Sequence, residues 1–207
     1  MSEITLYPNP NVNVNFTFTI SIFLAEVGAE YTVESDIEKI KNDERFQASG
    51  FPGFFTHRGF LISGTGPSLL YLQGLLDQEN DYGYTSYGNP EEYSEIVQWL
   101  FAIHAVVAPI AQAEADNSNL GAQEKTPYAQ KPHVDALMRL FATLDIFLTN
   151  HQYLVGEHYT IGDIAVYGCV RLARDLEIDM SEFDALTAWT QRIEARPAVQ
   201  RVLAEMN

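Results

Sequence analysis

The stretch Tyr153–Ala173, YLVGEHYTIGDIAVYGCVRLA, constrains this chain more than any other. A short apolar, strand-like run ends at Gly156 and gives way to a helix pattern. Thr160 stands where an N-cap belongs, and Asp163 follows three residues later. The hydroxyl can accept from an early helix N–H while the carboxylate reaches back to the cap's own N–H, a capping box with Asp in place of the usual Glu. The run that follows, IAVYGCV, is apolar nearly all round, which describes a buried helix. A carboxylate at the start of such a helix is tolerated only when it is hydrogen-bonded. Thr160 and Asp163 therefore read as a structural cap at the centre of an α-helical domain.

A chain of 207 residues allows one large domain or two small ones, and 46% hydrophobic residues supply a core for either. With 28 acidic against 12 basic residues the net charge is −16, which disfavours nucleic acid and anionic membrane surfaces as partners. No run approaches the length of a membrane span. The opening MSEITLYPN lacks the basic and apolar segments of a signal peptide, so a soluble cytoplasmic protein is expected. The single Cys169 excludes a disulfide within the chain, a Cys-x-x-Cys pair and a multi-Cys metal centre. It lies inside the apolar helix and reads as a buried, inert thiol. The five histidines are scattered without metal-ligand spacing, and no metal is expected.

Taken in order, Ile4–Tyr7 alternates as a strand, and PNPNVNVN breaks the pattern. Phe16, Ile20, Phe23, Leu24 and Val27 recur at helical spacing, with Gly28 placed to end the helix. Ala29–Val33 resumes as a strand, completing a βαβ unit. Asp36–Gln47 is charged and reads as irregular or a short surface helix. Phe54–Thr56 and Phe60–Ile62 form a hairpin around His57-Arg58-Gly59. Gly64-Thr65-Gly66-Pro67 then opens a helix, with Thr65 as its natural N-cap and Pro67 in the first turn. The polar, Gly/Tyr-rich segment 77–90 reads as a linker between residues 1–76 and 91–207. Beyond it come a long helix over Glu91–Ala115 that Pro109 should kink, a helix over His133–Leu148, the capped helix, and two short helices over Asp184–Glu194 and Ala198–Glu205.

YLVGEHYTIGDIAVYG and ARPAVQRV resemble the late signatures of the glutathione transferase superfamily, with Gly162 where that family has Ala. The βαβ-ββα order ahead of them is similar to its N-terminal half. The resemblance implies an α+β thioredoxin-like domain over 1–76 followed by an all-helical bundle over 91–207. It also implies glutathione as co-substrate, a small electrophilic apolar acceptor, and a homodimer.

What the resemblance implies about the site falls on degraded motifs. Phe51-Pro52 stands in the place of the family's Val-Pro, whose cis bond offers main-chain groups to the cysteinyl part of the tripeptide, and the preceding Gly-Lys is reduced to Gly50. Gly64-Thr65 stands where the family has Glu-Ser at a helix N-terminus that receives a carboxylate. Counting back from Leu24, the position that donates to the thiol sulfur falls at or beside Asn15, with Asn13 and Thr17 close by. The residues alone leave Asn13 and Asn15 open between thiol activation and turn formation. No Cys or Ser lies in that loop, which excludes a Cys-type, thiol-exchange member. Tyr93, Trp99, Ile103 and His104 on the long helix are the expected acceptor-pocket lining. The competing expectation is a transferase fold that has lost glutathione use, serving as a repurposed pocket enzyme or a non-catalytic interaction module.

Overall fold

The computed structural model describes residues 3–8, 16–44, 53–118 and 131–206. Asn13, Asn15, Phe51 and Pro52 lie outside them, as does the peptide bond between the last two.

The N-terminal part is a four-stranded mixed sheet of β1 (Ile4–Pro8), β2 (Thr32–Val33), β3 (Gly53–His57) and β4 (Phe60–Ser63), in the order β2-β1-β3-β4. β1 pairs parallel with β2 across the crossover helix α1 (Phe16–Glu26), and antiparallel with β3. β2 is shorter than the expected Ala29–Val33. Arg58 and Gly59 both have positive φ (51° and 80°) between the paired residues His57 and Phe60, so the β3–β4 hairpin closes on a two-residue turn of the type that matches strand twist. Among the described residues the charged segment after β2 contributes a short 3-10 turn, Ile37–Lys39, whose first free amide is capped by Asp36.

Helix α1 is apolar on every side because it is covered on every side. Phe16 and Phe18–Leu24 are all buried between the sheet, α2 (Thr65–Leu76) and the helical part of the chain. Among the described residues the opposite face of the sheet carries a small cluster of Tyr7, Ile40, Phe54 and Leu61. After α2, Asp77 accepts from the amides of Asp81 (2.8 Å) and Tyr82 (2.9 Å), folding the following segment back on itself. Tyr82 in turn offers its carbonyl to the Ile161 amide at 2.8 Å.

The helices that follow are α3 (Pro90–Ser118), α4 (Lys131–Leu148), α5 (Ile161–Asp175), α6 (Asp184–Glu194) and α7 (Pro197–Met206). Tyr153–Val155 forms no strand; Val155 makes one isolated bridge with His158. Pro90–Ile110 corrects the expectation that no run reaches membrane-span length, since by length and composition this segment is long and apolar enough. Here its inner side supplies Ile96, Trp99, Leu100, Ile103 and Ile110 to the core, while Phe101 on the outer side is 70% exposed.

α5 is the axis of the helical part. Ile161–Val170 are all buried, Cys169 among them. Its start is tied to α6 by the Trp189 indole, itself 1% exposed. Truncating a buried aromatic of this kind costs about 3–5 kcal/mol. α5 also crosses α1 so closely that a Cβ on Gly168 would lie 2.3 Å from the Thr19 hydroxyl, and this contact joins the sheet-bearing part to the helical part.

Candidate functional site at the alpha2 N-terminus

Three local facts assemble the site. Gly64 leads from β4 into α2 with φ 83° and ψ 145°, a conformation reserved in practice for glycine. Its amide donates to the Gly53 carbonyl at 3.2 Å, which holds the start of β3 beside the start of α2. Gly53 has no room for a side chain either, because a Cβ there would meet the Phe16 ring at 2.3 Å. The first turn of α1, the residue after Pro52 and the first turn of α2 therefore meet.

The N-cap of α2 is Gly64, which corrects the assignment of Thr65 to that role; Thr65 is the first helical residue. Gly64 has no side chain, so no side-chain cap closes this end. The Thr65 and Gly66 amides have no acceptor within the helix, as at any helix start, and Pro67 brings no N–H. The Ser68 amide is spent on Gly64 O at 3.1 Å. The Ser68 hydroxyl is sealed from solvent with no hydrogen-bond partner, as is the Thr17 hydroxyl in the first turn of α1. The arrangement offers amide donors and a helix dipole to an anion.

Thr65 also lines a cavity between the two parts of the chain, with Thr19, Ile103, Val107, Gly168 and Cys169. Its volume is about 20 Å³, which holds a water and not a substrate. Of the expected acceptor residues, Ile103 faces this cavity. Trp99 is turned into the helical core, its indole donating to Leu154 O at 3.3 Å and its ring standing edge-on to Phe147. His104 is exposed and Tyr93 half-buried, and neither lines the cavity. Thr19, Val107 and Gly168 were missed as lining residues; helical spacing shows which residues share a face but not which face meets another helix. The Cys169 thiol is pushed up to about 12 by burial, so it presents no thiolate near neutrality.

The cap of α5 is closed by contrast. Thr160 accepts from the Gly162 amide at 3.2 Å. Asp163 accepts from Thr160 N (2.9 Å), Thr160 Oγ1 (3.2 Å), Leu154 N (3.0 Å) and Trp189 Nε1 (3.0 Å). Burial raises its carboxyl to about 6 against these hydrogen bonds, which pull it down. No group of three or more His, Cys, Asp or Glu side chains is placed to hold a metal among the described residues.

Residues 75–197 match the family profile described as "Glutathione S-transferase, C-terminal domain". Over 112 residues the chain is 31% identical to "Disulfide-bond oxidoreductase YfcG" of Escherichia coli (strain K12), a match covering 54% of this chain and 52% of that one. The chain thus spans about half the length of such curated relatives. Among solved structures, "Ure2p5 from Phanerochaete chrysosporium cocrystallized with 1-(S-glutathionyl)-2,4-dinitrobenzene" superposes with a TM-score of 0.80 at 21% identity, covering 99% of this chain and 94% of that one. A "glutathione transferase homolog from Lodderomyces elongisporus […] with two GSH per subunit" does so with a TM-score of 0.79 at 26% identity, covering 99% of each. The profile match takes in more than half of the 207 residues, and the chain belongs to the glutathione S-transferase family.

Proposed function

We propose that this protein binds glutathione across the starts of β3 and α2 and joins it, through its sulfur, to a small apolar electrophile. The observation that carries the reading is the α2 N-terminus, left without a side-chain cap by Gly64 and sited beside Gly53. The γ-glutamyl carboxylate would accept from the Thr65 amide and hydroxyl. The Phe51-Pro52 main chain would hold the cysteinyl part in the manner of an added strand. Asn15, supported by Asn13, would donate to the sulfur and favour the thiolate. The thiolate then forms a bond to the electrophilic carbon, the leaving group departs with its electron pair, and the thiol proton has already passed to solvent. Where the acceptor keeps all its atoms, the same addition and reversal isomerises it. The interdomain cavity must widen around Ile103 to admit such an acceptor.

A second reading is favoured by the name of the 31% identical relative, a disulfide-bond oxidoreductase. With Cys169 buried and no other Cys in the chain, all three sulfurs of such an exchange would come from outside the protein: glutathione supplies the attacking thiolate, and a disulfide substrate supplies the sulfur attacked and the sulfur that leaves as thiolate. A third follows from the lost side chains: Gly64 in place of Glu, and Gly50 without a following Lys, fit a pocket that no longer takes glutathione. We further propose a cytoplasmic homodimer, the arrangement that the family resemblance implies.

Isothermal titration with glutathione, followed by turnover of an aromatic halide, decides among these. Heat of binding and a conjugate support transfer. Binding with turnover only of a glutathione mixed disulfide supports exchange. No heat and no turnover would leave the third reading standing.

A further inference from the structure

A second cavity opens at the end of the sheet away from the Gly53–Gly64 contact. The start of β1, the end of β3, the residues after α1 and the last turn of α2 enclose it. The length of β3, about 13 Å, separates it from the start of α2. Its volume is about 370 Å³, against about 20 Å³ for the cavity at Thr65. The larger is the size of a small-molecule pocket, the smaller that of a single water.

The sheet fixes one wall. Ile4 and His57 are partners in the β1–β3 ladder, and just beyond them the Arg58 amide donates to Glu3 O at 3.2 Å. The His57 ring is held at Nδ1 by the Tyr71 hydroxyl, 2.9 Å away. Its Nε2 lies 3.6 Å from Glu3 Oε2. Arg58 folds onto that same oxygen, with Nε and Nη2 both at 2.8 Å.

Charge selects the occupant. The lining carries two carboxylates, Glu3 and Glu30, against the one guanidinium of Arg58, and that guanidinium is already committed to Glu3. α2 points its C-terminal end here, the negative end of its dipole, and has no basic residue in its last turn to meet it. With a net charge of −16 the chain opposes an anion at long range as well. Ile4, Ala29, Leu75 and Leu76 supply apolar surface between the charged groups.

We propose that this cavity binds a small organic cation, a primary amine on a short apolar body. The ammonium donates to the Glu3 and Glu30 carboxylates, and the body lies on Ile4, Ala29, Leu75 and Leu76. The site is separate from the α2 N-terminus and rests on no part of the glutathione reading.

The probe is phenethylamine, with phenylacetate as an anion of similar size. Each is titrated into the isotope-labelled full chain and followed by its amide NMR spectrum, which reports affinity and location together. Phenethylamine should shift the His57, Arg58, Leu75 and Leu76 amides to saturation, and phenylacetate should bind at least tenfold more weakly. Glu30→Gln should weaken the amine about tenfold, the scale of one hydrogen bond to a charged group. Arg58→Gln should tighten it about threefold, because Glu3 then loses a partner worth no more than an exposed ion pair. Both side chains are exposed, so the variants should melt with wild type, and Glu30→Gln decides the matter if Arg58→Gln does not fold. Glu182→Gln, an exposed carboxylate ahead of α6, removes the same charge elsewhere and should leave affinity unchanged. The proposal is overturned if the amine leaves the cavity resonances in place or shifts them without saturating. It is overturned equally if phenylacetate binds as tightly, if Arg58→Gln weakens the amine, or if Glu182→Gln weakens it as much as Glu30→Gln. Failure of glutathione to bind the same protein would leave this result as it stands.

Discussion

Two helices in this chain start in opposite ways. α5 begins under a closed lid of hydrogen bonds: Thr160 caps it, and both oxygens of Asp163 are used twice over by buried donors. α2 begins with Gly64, has no side-chain cap, and leaves the nearby Ser68 hydroxyl without a partner. A helix start finished by the protein's own atoms has nothing left to offer a ligand. One left unfinished, next to a strand start with no side chain at Gly53, has main-chain donors to spare. The contrast separates a helix start that the protein's own atoms finish from one that keeps main-chain donors to spare.

The largest effect should come from opening the closed end. Asp163→Ala strands the Thr160 and Leu154 amides, the Thr160 hydroxyl and the Trp189 indole without their acceptor. Unpaired buried donors cost about 1–3 kcal/mol each. Relief from burying a charge offsets part of this, and we expect a net loss of about 4 kcal/mol in denaturant unfolding. The same variant tests the pH dependence. The folded carboxyl sits at about 6 against 3.8 ordinarily, so between those values the folded protein holds a proton that the unfolded chain has released. The group's contribution is therefore fully present below the unfolded value and is lost as pH rises through about 6, by roughly 3 kcal/mol for a shift of this size. Unfolding free energies measured across that window should show this downward trend in wild type and a flatter one in Asp163→Ala.

Next in size is a change that strains the open end without filling it. Gly64→Ala asks a Cβ-bearing residue to adopt φ 83° with ψ 145°. We expect a loss of about 2 kcal/mol, visible as an earlier thermal transition. A strained residue would also disturb the amide that Gly64 gives to Gly53, so under the glutathione reading binding of the tripeptide should weaken in the same variant. Loss of stability with binding intact would mean that the α2 start and the β3 start act independently.

How much of this was legible in the sequence follows the range of each interaction. Thr160 and Asp163 were readable because the capping box closes within four residues. The Trp189 bond to the same carboxylate spans 26 residues and left no local trace. Thr65 looked like an N-cap because Thr-Gly-Pro is a good local start. The cap moved back one residue because the chain must turn sharply out of β4, and only Gly64 can make that turn while paired to Gly53. Trp99 and His104 were placed on the right helix but not toward the cavity, since the spacing of apolar residues along α3 serves two surfaces, a core side and the outer side bearing Phe101. The apolar length of Pro90–Ile110 has the same origin. The ion pair of Arg196 with Glu26, across 170 residues, was beyond any local reading.

The smallest stability effect should come from the pair that states the contrast most directly. Thr160 and Thr65 each stand at the first residues of a helix, and their hydroxyls differ only in what they are used for. Thr160→Ala removes a side-chain cap that accepts from the Gly162 amide, and should cost about 1 kcal/mol. Thr65→Ala removes a hydroxyl from a residue that caps nothing, at the edge of a cavity with room for a water. Its stability should stay within about 0.5 kcal/mol of wild type. Under the glutathione reading the lost hydroxyl is one of two donors to the γ-glutamyl carboxylate, so affinity should fall about tenfold, the scale of one hydrogen bond to a charged group. Parallel melts and calorimetric titrations of the two variants therefore cross: Thr160→Ala loses stability and keeps affinity, while Thr65→Ala keeps stability and loses affinity. A Thr65→Ala protein that melts early and binds as before would make the α2 start a structural cap like the other, and the division drawn between the two helix ends would go with it.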